Sequence, residues 1–157
     1  MPPLEATLGE FGRRVAVLAR PNPSWSFVVG REASDGILSC VDLHYHENDE
    51  ARLTVRTTRT APASARVWPT FSPDAFLASF VDNRGHTSVP VSATERRPAD
   101  GFLSVAGHDL PATALTAAGV FAFTATGGDE IFAVAGLTGL EHLARDLAFA
   151  EQPSPPR

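Results

Sequence analysis

The sequence predicts an α+β fold: one domain with a largely antiparallel sheet of about seven strands and two to three helices packed on one face. Three observations indicate it. Apolar and alternating runs recur along the chain between clusters of turn residues, which is typical of strands. These runs mostly follow one another without an intervening helix, which favours antiparallel pairing. Residues 73–82 and 138–149 combine helix-start residues with apolar residues at helical spacing.

The composition is that of a folded domain. Of the 157 residues, 43% are hydrophobic and 20% are charged, which is typical of globular proteins. We expect the α+β domain to cover residues 13–150. Residues 1–12 are expected to form a flexible arm, and residues 151–157 a disordered tail because they are rich in proline.

Charge and cysteine content restrict the expected partners and location. The formal net charge is −5 at pH 7, and all 13 basic residues are Arg. An acidic protein attracts neither nucleic acid nor anionic membranes, so neither is expected as a partner. Frequent Ala, Arg, Gly and Pro without Lys indicate a bacterium with a GC-rich genome. Cys40 has no second cysteine to pair with, and residues 1–20 contain no long apolar run. We expect a cytoplasmic protein without signal peptide or membrane span.

Four strands are expected in the first 60 residues. Residues 15–19 are an apolar run stopped by two prolines, and residues 24–30 alternate large apolar with small polar residues. Residues 37–46 and 52–60 form a hairpin if apolar positions are matched across a loop centred on Asp49. The pairs are then Tyr45 with Leu53, His46 with Arg52, and Asp42 with Arg56.

The middle of the chain has weaker patterns. A helix is expected over residues 73–82, with Ser72 as N-cap and Pro73 in the first turn. Residues 87–94 alternate but contain Pro90, so we expect an edge strand. Residues 102–106 are expected to form a strand, and residues 107–118 either a loop or a short helix.

Residues 119–149 are predicted to form a hairpin followed by a helix. Two strands flank Gly127 and Gly128, which suit a primed turn because glycine tolerates positive φ. With these two as turn residues, Phe123 lies opposite Phe132. The sequence from Thr138 to Glu141 is a capping box, which predicts that a helix begins there.

The chemistry-bearing residues concentrate on the first hairpin. His44 and His46 are alternate residues of one strand, so they share a face, and Glu50 follows closely. The spacing His-x-His-x-x-x-Glu resembles the first metal motif of the cupin family. That resemblance implies a small β-barrel in which three His and one Glu hold a divalent metal, with His86 or His108 as the third imidazole.

A different interpretation of the same face requires no metal. Polar residues alternate outward on an ordinary antiparallel sheet. In that case Asp42, His44 and His46 pair with Arg52 and Arg56 on a solvated surface. Cys40 is expected to be a packed residue instead of a nucleophile.

These observations favour an interaction protein over an enzyme. No convincing catalytic constellation occurs, whereas Trp68 and Phe71 lie in a proline-containing loop where aromatic residues either anchor a partner or pack on the following helix. The predicted function is a small acidic protein-binding domain of the immunity or accessory type, with Trp68, Phe71, Asp42 and Arg56 as partner-binding residues. The expected partner is another protein, of basic character, and the chain is expected to be a monomer or homodimer. The alternative is a metal-dependent cupin-like enzyme or metal-binding module using His44, His46 and Glu50.

Overall fold

The computed structural model describes residues 4–12, 14–34, 36–59, 97–117, 119–127 and 130–150. Several predictions fall outside these residues. They are the helix at 73–82, the edge strand at 87–94, the tail at 151–157, and the residues Trp68, Phe71 and His86.

Nine strands make up most of the structure. The elements in chain order are helix α1 (Leu4–Phe11), β1 (Ala16–Leu18), β2 (Ser26–Ser34), β3 (Ile37–Glu47), β4 (Glu50–Arg59), β5 (Arg97–Val105), β6 (His108–Ala117), β7 (Val120–Gly127), β8 (Glu130–Leu137), a 3-10 helix (Glu141–Arg145) and β9 (Leu147–Phe149).

The strands form one sheet that curls into a half-barrel. Their order across the sheet is β1-β9-β5-β6-β7-β8-β4-β3-β2. Neighbours pair antiparallel, except that β5 and β9 pair in parallel at Val105 and Leu147. The sheet is therefore mixed, with β1 at one end and β2 at the other.

The predicted α+β class is wrong. Strands account for 65% of the structure, and the eight-residue α1 is the one α-helix among the described residues. The expected sheet of about seven strands with helices on one face is instead a nine-stranded, predominantly β architecture. One missed strand is β6, because Pro111 and the many Ala and Thr residues give it no strong strand pattern.

The predicted C-terminal helix is also wrong. Residues 141–145 form a 3-10 helix of five residues, and the chain then extends as β9, which pairs with β1. Apolar residues predicted to form the buried face of a helix are buried in this conformation as well. Ala144, in the 3-10 helix, and Leu147, in β9, both lie in the core. Strand pairing with β1 outweighs the local helical preference, as tertiary contacts commonly do.

The second predicted hairpin exists, but its register differs by two residues. Phe123 pairs with Val134, and Phe132 pairs with Ala125, because β7 continues to Gly127 opposite Glu130. A shift of two preserves the faces, so the phenylalanines still point into the core.

A core of large apolar side chains covers one face of the sheet, which we call the inner face. It includes Val41, Leu43 and Tyr45 of β3, all nearly inaccessible. Leu8 and Phe11 of α1 are buried in the same core, within the segment that the sequence predicts as a flexible arm. No helix in the described part of the chain is long and apolar enough to cross a membrane.

Candidate functional site

The two edge strands of the sheet, β1 and β2, have different surroundings. At the β1 end, the curl brings β1 against β4, and Leu18 of β1 reaches Tyr45 of β3. The backbone N–H of Ala16 donates to Thr57 Oγ1 at 2.9 Å, and that of Leu18 donates to Tyr45 Oη at 3.1 Å. Burial raises the pKa of Tyr45, although the Leu18 hydrogen bond lowers it, so the phenol stays neutral. Side-chain hydroxyls thus accept hydrogen bonds from these two N–H groups of β1, which we call the sealed edge.

At the opposite end, β2 has β3 as its one neighbour among the described residues. Phe27 is 48% exposed and Val28 is 38% exposed, and the two point to opposite faces of the strand. Half of the backbone N–H and C=O groups of an edge strand point away from the sheet. We call residues 26–32 the open edge.

Among the described residues, protection against pairing is confined to one half of β2. Natural sheets guard their edges with charges and bulges. Here Arg31 forms an ion pair with Glu10 of α1, and the register shifts between Glu32 and Ala33. Residues 26–30 have neither a charge nor a bulge, so this half of the strand is both apolar and unguarded.

Aromatic packing supports the open edge from the inner face. The ring of Phe27 lies 5.9 Å from that of buried Tyr45, and the ring of Trp25 lies 6.5 Å from Tyr45, each centroid to centroid. Such tilted arrangements are favourable for aromatic pairs. The exposed Phe27 ring is therefore held in place by a fixed aromatic neighbour.

On the outer face, the imidazole of His44 lies against Gly30. A Cβ atom added to Gly30 would be 2.7 Å from His44 Nε2, closer than real Cβ contacts. The other nitrogen, Nδ1, is 2.9 Å from Thr54 Oγ1, which fixes the ring. Burial lowers the pKa of His44, and the nearby His46 and Arg56 lower it further. The charge of Asp42 raises this pKa, but the net shift is downward. The His44 ring that lies against Gly30 therefore favours the neutral form of the imidazole.

The predicted pair Asp42–Arg56 is confirmed. The two residues lie opposite each other in β3 and β4, and the guanidinium donates two hydrogen bonds to the carboxylate, at 2.7 and 2.8 Å. Burial lowers the pKa of Arg56, but the hydrogen bonds and charge of Asp42 raise it more, so the group stays charged. Their side chains are 11% and 16% exposed. Little of either is accessible to a partner, although both were predicted to bind one.

The predicted pair of His46 with Arg52 is wrong. A register shift after Tyr45 places Ala51 opposite His46. Arg52 instead donates to Glu47 at 3.1 Å and lies 3.7 Å from Glu50. The bulge cannot be derived from matching apolar positions, because that procedure assumes an unbroken ladder.

The three predicted metal ligands do not converge. His44 is held by Thr54, and His46 Nδ1 donates to the carbonyl oxygen of His44 at 3.0 Å. Glu50 lies beside Arg52. His108 is exposed at the start of β6. Within the described ranges, no group of three His, Cys, Asp or Glu residues is arranged to hold a metal ion.

Cys40 lies on the same outer face. It is buried, and burial together with Asp42 raises the pKa of its thiol, which outweighs the lowering by Arg56 and Thr58. A buried neutral thiol is a poor nucleophile. The expected role of Cys40 as a packed residue fits this environment.

The open edge is the feature that sequence reasoning missed. The alternation in residues 24–30 indicates a half-buried strand, and that strand exists. Its position at the end of the sheet depends on the strand order, which the pattern does not encode. Residues 26–30 carry no signal of an edge position, because edge strands usually bear charges and these residues have none.

Comparison of the chain with models of known protein families, with curated protein sequences and with solved structures finds no match.

Proposed function

We propose that this chain is a small acidic, cytoplasmic protein-interaction domain of the immunity or accessory type, without catalysis of its own. It binds an extended segment of another protein along the open edge. The observation that carries this proposal is that Phe27 and Val28, both substantially exposed, lie on a strand edge that no other described strand covers.

The physical basis is strand addition. An incoming extended segment satisfies the outward N–H and C=O groups of β2 by main-chain hydrogen bonds, which provide affinity without demanding one sequence. Its alternate side chains then cover Phe27 on the inner face and Val28 on the outer face. Burying these two exposed side chains removes apolar surface from water, which favours the complex.

The net charge of the chain favours a basic partner. The chain has a net charge of −5. Glu47 lies beside Ser24, just before the open edge, but is paired with Arg52, and Glu32 at the other end follows Arg31. The net negative charge of the chain is therefore what raises the association rate of a segment that carries Arg or Lys.

Photocrosslinking in the native host tests the proposal. p-Benzoyl-phenylalanine replaces Phe27 in one strain and Phe102 in a second. Phe102 is a matched control because it is 36% exposed and lies on β5, away from β2. After irradiation we expect an adduct with a different protein from position 27 that position 102 does not give.

A second variant tests whether the adduct depends on strand pairing. Val28→Lys places a charge on the open edge, as natural guarded edges do. It should suppress the adduct formed from position 27. Equal adducts from positions 27 and 102, or an adduct that survives Val28→Lys, would contradict the proposed surface.

A further inference from the structure

The open edge is complementary to itself. Residues 26–32 pair with β3 in an unbroken register that ends at the shift after Glu32. Their side chains therefore alternate strictly. Phe27, Val29 and Arg31 point to the inner face, and Val28, Gly30 and Glu32 point to the outer face.

Symmetry restricts how two copies of this segment can meet. Identical strands pair antiparallel about a two-fold axis normal to the sheet, which keeps the inner face of one copy beside the inner face of the other. Placing the axis at Val29 pairs the whole segment 26–32 with itself. Placing it at Val28 or Gly30 leaves part of the segment unpaired.

The register centred on Val29 joins compatible side chains on the inner face. Phe27 lies opposite Arg31 of the second copy, whose guanidinium is held by Glu10 of its own copy and can stack on the ring. The described part of the chain contains two contacts of this kind, since Arg14 lies 4.6 Å from the centroid of Phe149 and Arg145 lies 4.5 Å from that of Phe102.

The outer face is compatible as well. Val28 lies opposite Gly30 of the second copy, whose outer side is covered by the His44 ring, so the valine meets that ring. Ser26 lies opposite Glu32, so its hydroxyl can donate to the carboxylate. Like charges are not brought directly opposite each other anywhere in this register.

We infer that two copies of this chain pair through residues 26–32, antiparallel and centred on Val29, and that this homodimer covers the open edge when no partner strand is bound. The inference rests on the proposed function in that it uses the same edge. A second copy and a partner segment compete for it, so self-pairing regulates access. Because the contact is a single strand, it is at the small end of interface sizes, and the dimer is weak.

Disulfide trapping tests the register. Directly opposed residues have Cα atoms about 5 Å apart, which a disulfide can span. Phe27→Cys and Arg31→Cys, each alone, should give no crosslink, because identical positions are then roughly 13 Å apart along the strands. An oxidised mixture of the two should give a species of twice 16.7 kDa. Wild-type protein, whose one cysteine is the buried Cys40, is the control and should give no crosslink.

Sedimentation of unmodified protein is the second measurement. Wild type should move from 16.7 kDa towards twice that mass as concentration rises, and Val28→Lys should remain at 16.7 kDa. Wild type that stays monomeric at the highest concentration, a dimer that persists in Val28→Lys, or crosslinking of Phe27→Cys alone would each overturn the inference. None of these results affects a host-protein adduct at position 27, so the two proposals fail separately.

Discussion

Replacing Gly30 by Ala should destabilise the protein, although the same change in an ordinary strand stabilises it. A new Cβ would lie 2.7 Å from His44 Nε2, 3.3 Å from its Cδ2 and 3.4 Å from Asp42 Cβ. The ring cannot withdraw without breaking its 2.9 Å contact with Thr54 Oγ1. The substitution therefore breaks this hydrogen bond and still leaves the displaced ring crowded against the new Cβ.

The magnitude follows from three contributions. Losing the hydrogen bond costs about 1 kcal/mol, and overpacking a filled site costs about 1–3 kcal/mol. Removing a glycine from a strand returns about 0.5–1 kcal/mol. We expect a net loss of about 1–3.5 kcal/mol in the free energy of unfolding, measured by urea denaturation.

Two controls isolate the His44 contact. Gly9→Ala makes the same chemical change in α1, where nothing lies within 4 Å of the new Cβ, so it should stabilise the protein by about 0.5–1 kcal/mol. In a His44→Ala background the clash is absent, so Gly30→Ala should become neutral or stabilising. A stabilising Gly30→Ala in wild type, or an equal loss in both backgrounds, would refute the reasoning.

Three further changes test the groups around the site. Asp42→Asn leaves the buried Arg56 charge without its carboxylate and should lower the free energy of unfolding by about 3–5 kcal/mol in a denaturation experiment. Tyr45→Phe removes the acceptor of the Leu18 N–H, which should cost about 1–3 kcal/mol and speed hydrogen exchange of that amide. Burial lowers the pKa of His44 from its ordinary value of 6.5 in the folded protein. As the pH falls below 6.5, the unfolded chain therefore binds more protons than the folded protein, and the free energy of unfolding should decline.

Each of these predictions has a control. Replacing both Asp42 and Arg56 by apolar residues should cost less than the sum of the single changes; additivity would contradict the coupled pair. Exchange of an amide in β6 should be unaffected by Tyr45→Phe. His44→Gln should lose less stability than wild type on acidification, whereas His108→Gln, at an exposed position, should follow wild type. Parallel pH profiles for wild type and His44→Gln would remove His44 as the titrating group.

The strands that sequence reasoning placed well are those with strong local patterns. In β3 and β4 the alternation of apolar and polar residues is clear, and matching it gave the Asp42–Arg56 pair correctly. The same reasoning failed at His46, because a bulge is a local insertion that leaves the apolar pattern intact.

The C-terminal segment failed for a different reason. Leu140, Leu143, Ala144 and Leu147 fit a helical face, yet β1 offers pairing partners from Ala16 to Leu18. Long-range pairing of this kind is invisible in a local window. The open edge was missed on the same grounds, since a strand's place in the sheet is a property of topology and not of its own residues.

The contrast between the sealed and open edges is the central claim, and hydrogen–deuterium exchange of single amides tests it directly. The measurement uses dilute protein, so that self-pairing is not populated. The amides of Ala16 and Leu18, bonded to Thr57 and Tyr45, should exchange slowly, while alternate amides within residues 26–30 should exchange rapidly. Equally slow exchange along residues 26–30 would mean that this edge is already paired, and would contradict the account.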